Sequence, residues 1–480
     1  MEHHVMESKK TPIKGFFDVI VVGGSQSGVA AAVCAAREGA NVLLVEKNSF
    51  LGGQGITSLV LQWEKNAFTS WRGDRITRGI ASEMLERVKE KAIHDALWDT
   101  PPLDRHVDGD AWLDAEAIKI VLLEMCLESG VELLFGSILI DVECKENETG
   151  NRTVNGVIVQ NRSGLEYYQA RVVIDATAFL EVVWHAMGDD GVVTAPIDDR
   201  MSPGWFTEFR GIDSKQFLEY IRSEQPCTGY PPLKNEPKLH EHFNQGKLLI
   251  YHGFPDILDR AYDESILEKW PEERMPLPFK LTVKSWNHPP IITDRWCTVL
   301  DLGTKDVLNA QALSQTDIDR QVIDWILLDV FRLMPGWGNA YISRTSIQLG
   351  HRDTRRLKAI TMVTREDVFH PDVNRQDAIG LSDGHDAGRN RLHAPYPIPY
   401  GILVPEKLDG VLCCSRAVGV ADRTALDAHR GITPTIVVGQ AAGTAAALVI
   451  KHDIQPREAN IKALRNILKI NGVLLNMKDD

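Results

Sequence analysis

The stretch FDVIVVGGSQSGVAAAVCAAREGANVLLVEK, residues 17–47, decides how the chain is read. FDVIVV is a continuous apolar run, as expected of a strand covered on both faces. GVAAAVCAARE supplies a helix of small residues closed by Gly39, and NVLLVE a second strand. Strand, helix and strand together fill about the ~30 residues that a βαβ unit needs. Between the first strand and the helix lies a glycine-rich loop, Gly23, Gly24, Ser25, Gln26, Ser27 and Gly28, in which serine replaces the middle glycine.

Such a loop presents free backbone amides at a helix N-terminus, where a pyrophosphate can accept them. Gly23 is expected to make the tight turn and Gly28 to let helix and strand pack closely. A glycine is wanted at position 25 so that no side chain blocks the phosphate. Serine is among the smallest replacements, and its hydroxyl could donate to a phosphate oxygen. Glu46, at the tip of the second strand and 18 residues beyond Gly28, can accept the hydroxyls of an adenosine ribose. The bland alternatives are a glycine-rich turn without ligand and a solvated glutamate at a strand end. Lys47 then opens KNSFLGGQGITS, whose double glycine at Gly52 and Gly53, followed by Gln54, is not needed by a plain NAD domain and favours FAD.

A chain of 480 residues predicts two or three domains. With 44% hydrophobic and 25% charged residues the composition is that of a soluble globular protein. A formal net charge of −13 argues against nucleic acid or an anionic membrane as a main partner, while leaving a local basic patch open. Seven cysteines without CxxC spacing make neither a disulfide framework nor a zinc site, so the cytosol is the expected compartment and no metal is expected. PTIVVGQAAGTAAALVI, residues 434–450, is slightly short for a ~20-residue span and reads as a buried helix. The sequons at Asn147, Asn151 and Asn161 read as accidental.

The expected organisation is a flexible arm over 1–15, a first dinucleotide-domain segment over 16–195, an inserted substrate domain over 196–340 and a second dinucleotide-domain segment over 341–480. AEAIKIVLLEMCLESG is a helix ending at Gly130 and VELLFG the strand after it. LIDVECK, TVNGVIVQN and YYQARVVIDA show strand patterning broken by turns at NETGN and NRSG. GVLCC is a buried strand, and IKALRNILKI an amphipathic helix. The middle is rich in proline and holds six of the eleven tryptophans: Trp205, Trp270, Trp286, Trp296, Trp325 and Trp337.

Taken with the LGG loop, three further segments carry a resemblance: IQLGHRDTRRLKAITMVTREDV (347–368), PYPIPYGILVPEKLDGVLCCSRAVGV (395–420) and HRGITPTIVVGQAAGTAAAL (429–448). The chain resembles the bacterial FAD-dependent oxidoreductase family, with a Rossmann-type, glutathione-reductase-like α/β domain made discontinuous by a mixed α+β insert. The resemblance implies that Glu46 and Lys47 contact the adenosine and that Gly52 and Gly53 run past the ribityl chain and pyrophosphate. It further implies that Ala176, Thr177 and Arg416 lie in the cofactor site, which Gly443 and its neighbours close. The family commonly writes DATG where this chain has DATA at Asp175–Ala178, which puts the contacts there in question.

Thr433 reads as the N-cap and Pro434 as the first residue of a long helix. By resemblance its N-terminus faces the flavin, so free amides near Thr435 and Ile436 would stabilise negative charge on reduced flavin. Gly439, Ala441, Ala442 and Gly443 would either pass close to the cofactor or pack helices.

His351, Arg352, Asp353, Arg355 and Arg356 read either as an anion-binding cluster or as a salt-bridged hinge. His385, His393, Tyr396 and Tyr400 are candidate bases, and His429 and Arg430, just before the helix, are expected nearer the flavin. Cys413 and Cys414 would point to opposite faces of a strand and read as structural. The expected activity is a dehydrogenase or oxidase in which a small organic substrate gives a hydride to flavin N5 and a His or Tyr takes the proton. The electron acceptor, oxygen, a quinone or another carrier, is left open, as is a homo-oligomer. A flavin monooxygenase and a binding module with structural FAD are the alternatives.

Overall fold

The computed structural model describes residues 11–63, 76–92, 111–146, 152–230, 239–244, 249–276, 281–285, 294–382 and 395–477. His385, His393, Trp286, Asn147 and Asn151 lie outside the described residues.

Strand β1, Ile13–Val22, leads through the glycine loop into helix α1, Gln26–Arg37, and back into strand β2, Val42–Glu46. β1 and β2 pair in parallel, with Val19 opposite Val42 and Val22 opposite Val45. Glu132–Phe135 adds to the far side of β2, and Gly164–Asp175 to the far side of β1, both in parallel. Val411–Cys413 extends the parallel sheet beyond Gly164–Asp175. The strand patterning read over LIDVECK to VVIDA forms an antiparallel meander of Ile138–Glu146, Arg152–Asn161 and Gly164–Asp175. The last of these belongs to both meander and parallel sheet, since its second half alone runs beside β1's apolar end.

β1 begins at Ile13, earlier than the expected arm boundary at residue 15, because Tyr167 donates its amide to the Pro12 carbonyl and draws the chain into the sheet.

A second, six-stranded antiparallel sheet runs in the order Cys227–Tyr230, Ile250–Gly253, Leu281–Ser285, Trp296–Leu300, Trp205–Arg210 and Tyr341–Thr345. Tyr341–Thr345 pairs with Trp205–Arg210, so this sheet reaches past the expected boundary at 340. One face packs on helix Ala310–Arg332 in a separate core built on Trp205, Phe209, Trp296, Phe331 and Trp337. The opposite face carries Phe206 and Cys297, which belong to the core of the first sheet. Of the tryptophans in the middle region, Trp205, Trp270, Trp296 and Trp337 are therefore core, and Trp325 is 64% exposed.

The long helix Ile432–His452 is long and apolar enough to cross a membrane, but 89% of its apolar window is buried inside the protein. It lies on α1. A Cβ at Gly439 would stand 2.2 Å from the Ser27 carbonyl oxygen, and one at Gly443 2.0 Å from that of Ala31. Gly443 thus packs the long helix on α1, roughly 16 Å along the axis from the helix start at 1.5 Å per residue.

Candidate active site

The glycine loop is built as its residue types require. Gly23 has φ +105°, and a Cβ at Gly28 would stand 1.9 Å from the Gly23 carbonyl oxygen. Ser25 is the N-cap of α1: its Oγ accepts the Gly28 amide at 3.4 Å and lies 3.0 Å from Ser27 Oγ. The serine therefore satisfies one of the orphan amides of the helix start, as an N-cap does.

Gly52, at φ +116°, and Gly53, at φ +50°, fold back onto this loop. The Gly52 amide donates to the Gly24 carbonyl at 2.8 Å, and a Cβ at Gly53 would stand 2.8 Å from Ser25 Cβ. Gln54 follows in the short helix Gly53–Thr57. The buried Gln26 side chain lies against Gly55, with Nε2 lacking a hydrogen-bond partner among the described residues. Glu46 is buried and already holds the loop: Oε2 accepts the Gly24 amide at 2.7 Å, and Oε1 accepts Asn48 N and Nδ2 at 2.8 and 2.7 Å. A carboxylate has about four lone-pair sites, so capacity for ribose hydroxyls remains.

Beside the loop, Ala176 and Thr177 follow the end of Gly164–Asp175. The Ala176 carbonyl oxygen is 2.9 Å from a Cβ built at Gly23. Thr177 serves the buried Asp175, whose carboxylate accepts Thr177 N and Oγ1 and the amides of Val182 and Val183. Burial pushes Asp175 up to about 6. Ala178 does not have the positive φ that would demand glycine, and its carbonyl accepts Thr354 Oγ1 at 2.7 Å and Arg416 at 3.4 Å. The departure from DATG thus costs no backbone strain.

Arg416 is half-buried, with its buried Nε unpartnered among the described residues. Its pKa falls to about 10, first through burial and then through Arg430. His351 Nδ1 is likewise buried without a partner. Burial, then Arg416 and Lys47, lower His351 to about 3. Arg416 and Lys47 thus lie in electrostatic reach of His351, which is neutral at such a pKa, and Arg430 in reach of Arg416. The phosphates of a dinucleotide would supply an anionic partner for the unpartnered Arg416 Nε.

The N-cap of the long helix is Gly431, and Ile432, Thr433 and Pro434 form its first turn. Thr433 is therefore not the cap, and the Thr435 amide is used: it donates to the Gly431 carbonyl at 3.3 Å, while Thr435 Oγ1 donates to that of Ile432. Pro434 is tolerated because the first four helical amides have no intrahelical acceptor. The amides facing outward along the axis are those of Ile432 and Thr433, three residues earlier than the expected Thr435 and Ile436.

Among the catalytic candidates, the buried Tyr400 donates its hydroxyl to the Pro456 carbonyl at 2.8 Å, which commits its proton to a bond within the fold. Arg352 pairs with Asp301 and donates to the Ser202 carbonyl, and Arg356 pairs with the fully buried Asp353 at 2.9 Å. Arg355 stacks 3.8 Å from the Trp184 ring centroid. The arginine cluster thus includes the hinge-like pairs of the second reading. Arg430 pairs with Asp427 at 3.1 Å. His429 is buried beside the helix start; Nδ1 lies 3.1 Å from Tyr396 Oη and Nε2 is unpartnered. Burial lowers its pKa to about 4. Cys413 and Cys414 are buried free thiols pushed up by burial, with Cys414 Sγ against the Ser27 carbonyl.

Two buried charged residues were not singled out from sequence: Glu208 on the second sheet, fully buried, and Arg295 beside it. An acid alternating with aromatic residues in WFTEFR was the available signal.

The model of FAD dependent oxidoreductases matches residues 18–468. Thiamine thiazole synthase of Aeropyrum pernix is 30% identical over 200 residues, covering 39% of this chain and 63% of that protein. The tRNA uridine 5-carboxymethylaminomethyl modification enzyme MnmG of Aquifex aeolicus is 25% identical over 206 residues, 41% of this chain and 30% of the enzyme. The chain thus spans less than two thirds of either relative's length. Among solved structures, GidA of Aquifex aeolicus aligns over 92% of this chain and 64% of that one, at 14% identity and a TM-score of 0.45. By the match along nearly its whole length, the chain belongs to the FAD-dependent oxidoreductase family and is an FAD enzyme.

Proposed function

We propose that the protein is a dehydrogenase or oxidase of a small organic substrate, with a glutathione-reductase-like FAD domain and the second sheet as its substrate domain. The carrying observation is a pair of buried nitrogens without hydrogen-bond partners among the described residues, Arg416 Nε and His351 Nδ1, in residues within electrostatic reach of each other, with Arg430, which Arg416 senses, just before the helix start at Ile432. FAD, when bound, would supply a two-electron acceptor for the substrate hydride. Gly23–Gly28, Glu46 and Lys47 would hold its adenosine and pyrophosphate end, and Gly52–Gln54 with Arg416 its ribityl side. The Ile432 and Thr433 amides and the helix dipole favour negative charge at the pyrimidine end.

His429 is the proton acceptor among the sequence candidates. Its Tyr396 contact orients the ring and leaves Nε2 to receive a proton. A pKa near 4 makes it a weak base at neutral pH, so its assistance in proton removal is small until substrate charge raises it. Oxygen, a quinone or another carrier takes the electrons on, and the cytosol is the compartment we infer.

The test is anaerobic bleaching of the yellow holoenzyme by sugars, alcohols, amines and acids, repeated with His429→Ala and His351→Ala. Bleaching at a rate useful for turnover supports the proposal. Its absence across the panel, with oxygen insertion on adding NAD(P)H, would establish the monooxygenase alternative.

A further inference from the structure

The face of the second sheet that turns toward the FAD domain carries a charged island. Strand register puts Phe206, Glu208, Lys284, Cys297 and Arg344 on it, since directly paired residues share a face: Glu208 opposite both Cys297 and Arg344, and Lys284 opposite Cys297. Phe206 and Cys297 are packed into the core of the FAD domain, so the island lies between the two cores.

At its centre the Glu208 carboxylate is fully buried. Oε1 accepts Ser343 Oγ at 2.8 Å and Arg210 Nε at 3.0 Å, with Arg295 at 3.7 Å. Oε2 has no hydrogen-bond partner among the described residues; Arg344 Nε stands 4.0 Å from it. Lys284 Nζ sits 5.5 Å over the Phe206 ring. Arg295 also feels Asp114, and burial lowers its pKa. Four cations therefore face two carboxylates, Glu208 and Asp114, among the described residues. Oε2 is thus held by one long ion pair, to Arg344, and by no hydrogen bond among the described residues.

The island is tied to the cofactor loops. Ser346 Oγ accepts the Phe206 amide at 3.0 Å and donates to the Ser58 carbonyl, also at 3.0 Å; Ser58 ends the helix that begins at Gly53. The Ile347 amide donates to the Thr57 carbonyl at 2.6 Å.

We propose that this face is the substrate-recognition site and that it takes a small carboxylic acid bearing a hydroxyl or amino group. The carboxylate is met by the arginine and lysine groups, and the substrate's O–H or N–H donates to Glu208 Oε2. The planar guanidinium fork suits a carboxylate, and the buried oxygen without a hydrogen bond selects for a donor beside it. This assignment rests on the proposed oxidation for its purpose, but not for its binding.

The FAD-loaded protein is titrated with oxalate, which has no hydroxyl donor, and with lactate, by calorimetry and by perturbation of the flavin spectrum. Arg344→Gln, at the more exposed edge, should weaken both acids about tenfold, the effect of losing one charge-assisted contact. Glu208→Gln should lower the affinity for lactate relative to oxalate by about tenfold, through loss of the anionic acceptor. Arg344→Gln with native circular dichroism and unchanged affinity for both acids overturns the site, as does wild-type protein that binds neither. If Glu208→Gln does not fold, the Arg344 result decides alone. Binding of lactate without anaerobic bleaching leaves the site standing and counts against oxidation of that acid; bleaching untouched by Arg344→Gln removes the site and leaves the oxidoreductase reading intact.

Discussion

The Glu46 carboxylate accepts the Gly24 amide at 2.7 Å, so the acidic tip of the second strand braces the glycine loop. Glu46→Gln would keep one acceptor for the Gly24 amide while removing charge. FAD affinity should fall about tenfold or more, with apoprotein stability lowered by ~1–2 kcal/mol, measured by cofactor titration and urea unfolding.

Ser25 acts as a cap, which separates two substitutions. Ser25→Ala should cost ~1 kcal/mol and Ser25→Gly only a few tenths. Gly28→Ala has no such tolerance, since its Cβ would meet the Gly23 carbonyl oxygen at 1.9 Å. It should abolish FAD binding or folding, read by flavin absorbance of the purified protein.

Gly443→Ala tests helix packing against a cofactor role. With the Ala31 carbonyl oxygen 2.0 Å from the new methyl, a loss of ~2–3 kcal/mol or more is expected in apo- and holoprotein alike. Unchanged melting with selective loss of FAD would return the residue to the cofactor site.

Arg416→Met should act differently on two measurements. Removing a half-buried charge whose Nε has no hydrogen-bond partner among the described residues should leave the apoprotein about as stable, while FAD affinity drops at least tenfold. Thermal melting of the apoprotein and a cofactor titration separate the effects.

His429 and His351 have folded-state pKa values pushed down by burial, to about 4 and about 3. An unfolded histidine titrates near ~6.5, so between the two values the unfolded chain binds more protons. Their contribution is complete above ~6.5 and is lost as pH falls toward 4, by up to ~1.4 kcal/mol per pH unit for each. Urea midpoints of apoprotein at pH 7, 6 and 5 should fall less steeply in His429→Gln than in the wild type; equal slopes would count against a buried neutral imidazole.

Tyr400→Phe should lose ~1 kcal/mol with the Pro456 bond and leave kcat unchanged, whereas Tyr396→Phe, which frees His429 Nδ1, should alter kcat or its pH profile.

The dinucleotide loop was legible in the sequence because its constraints are local. Gly23 needs a positive φ, Gly28 faces a carbonyl five residues back, and Glu46 stands one helix and one strand away. The same holds for α1, β2 and the meander, whose apolar periods and turn residues specify each element within its own span. The role of Gly443 was not legible, since close packing and cofactor approach ask for the same small residue, and only the position of α1 chooses between them. The helix start at Gly431 lay beyond reach for a related reason: Thr433 has the chemistry of a cap, but the Thr435 amide goes to Gly431. Tyr400, Arg352 and Arg356 are polar residues in the right neighbourhood whose partners, Pro456, Asp301 and Asp353, are set by the fold. Glu208 and Arg295, 87 positions apart, meet only because two antiparallel strands are registered side by side. Local backbone demands determined the nucleotide loop from the sequence alone; the buried charges of the second sheet are long-range neighbours, and tertiary structure decided them.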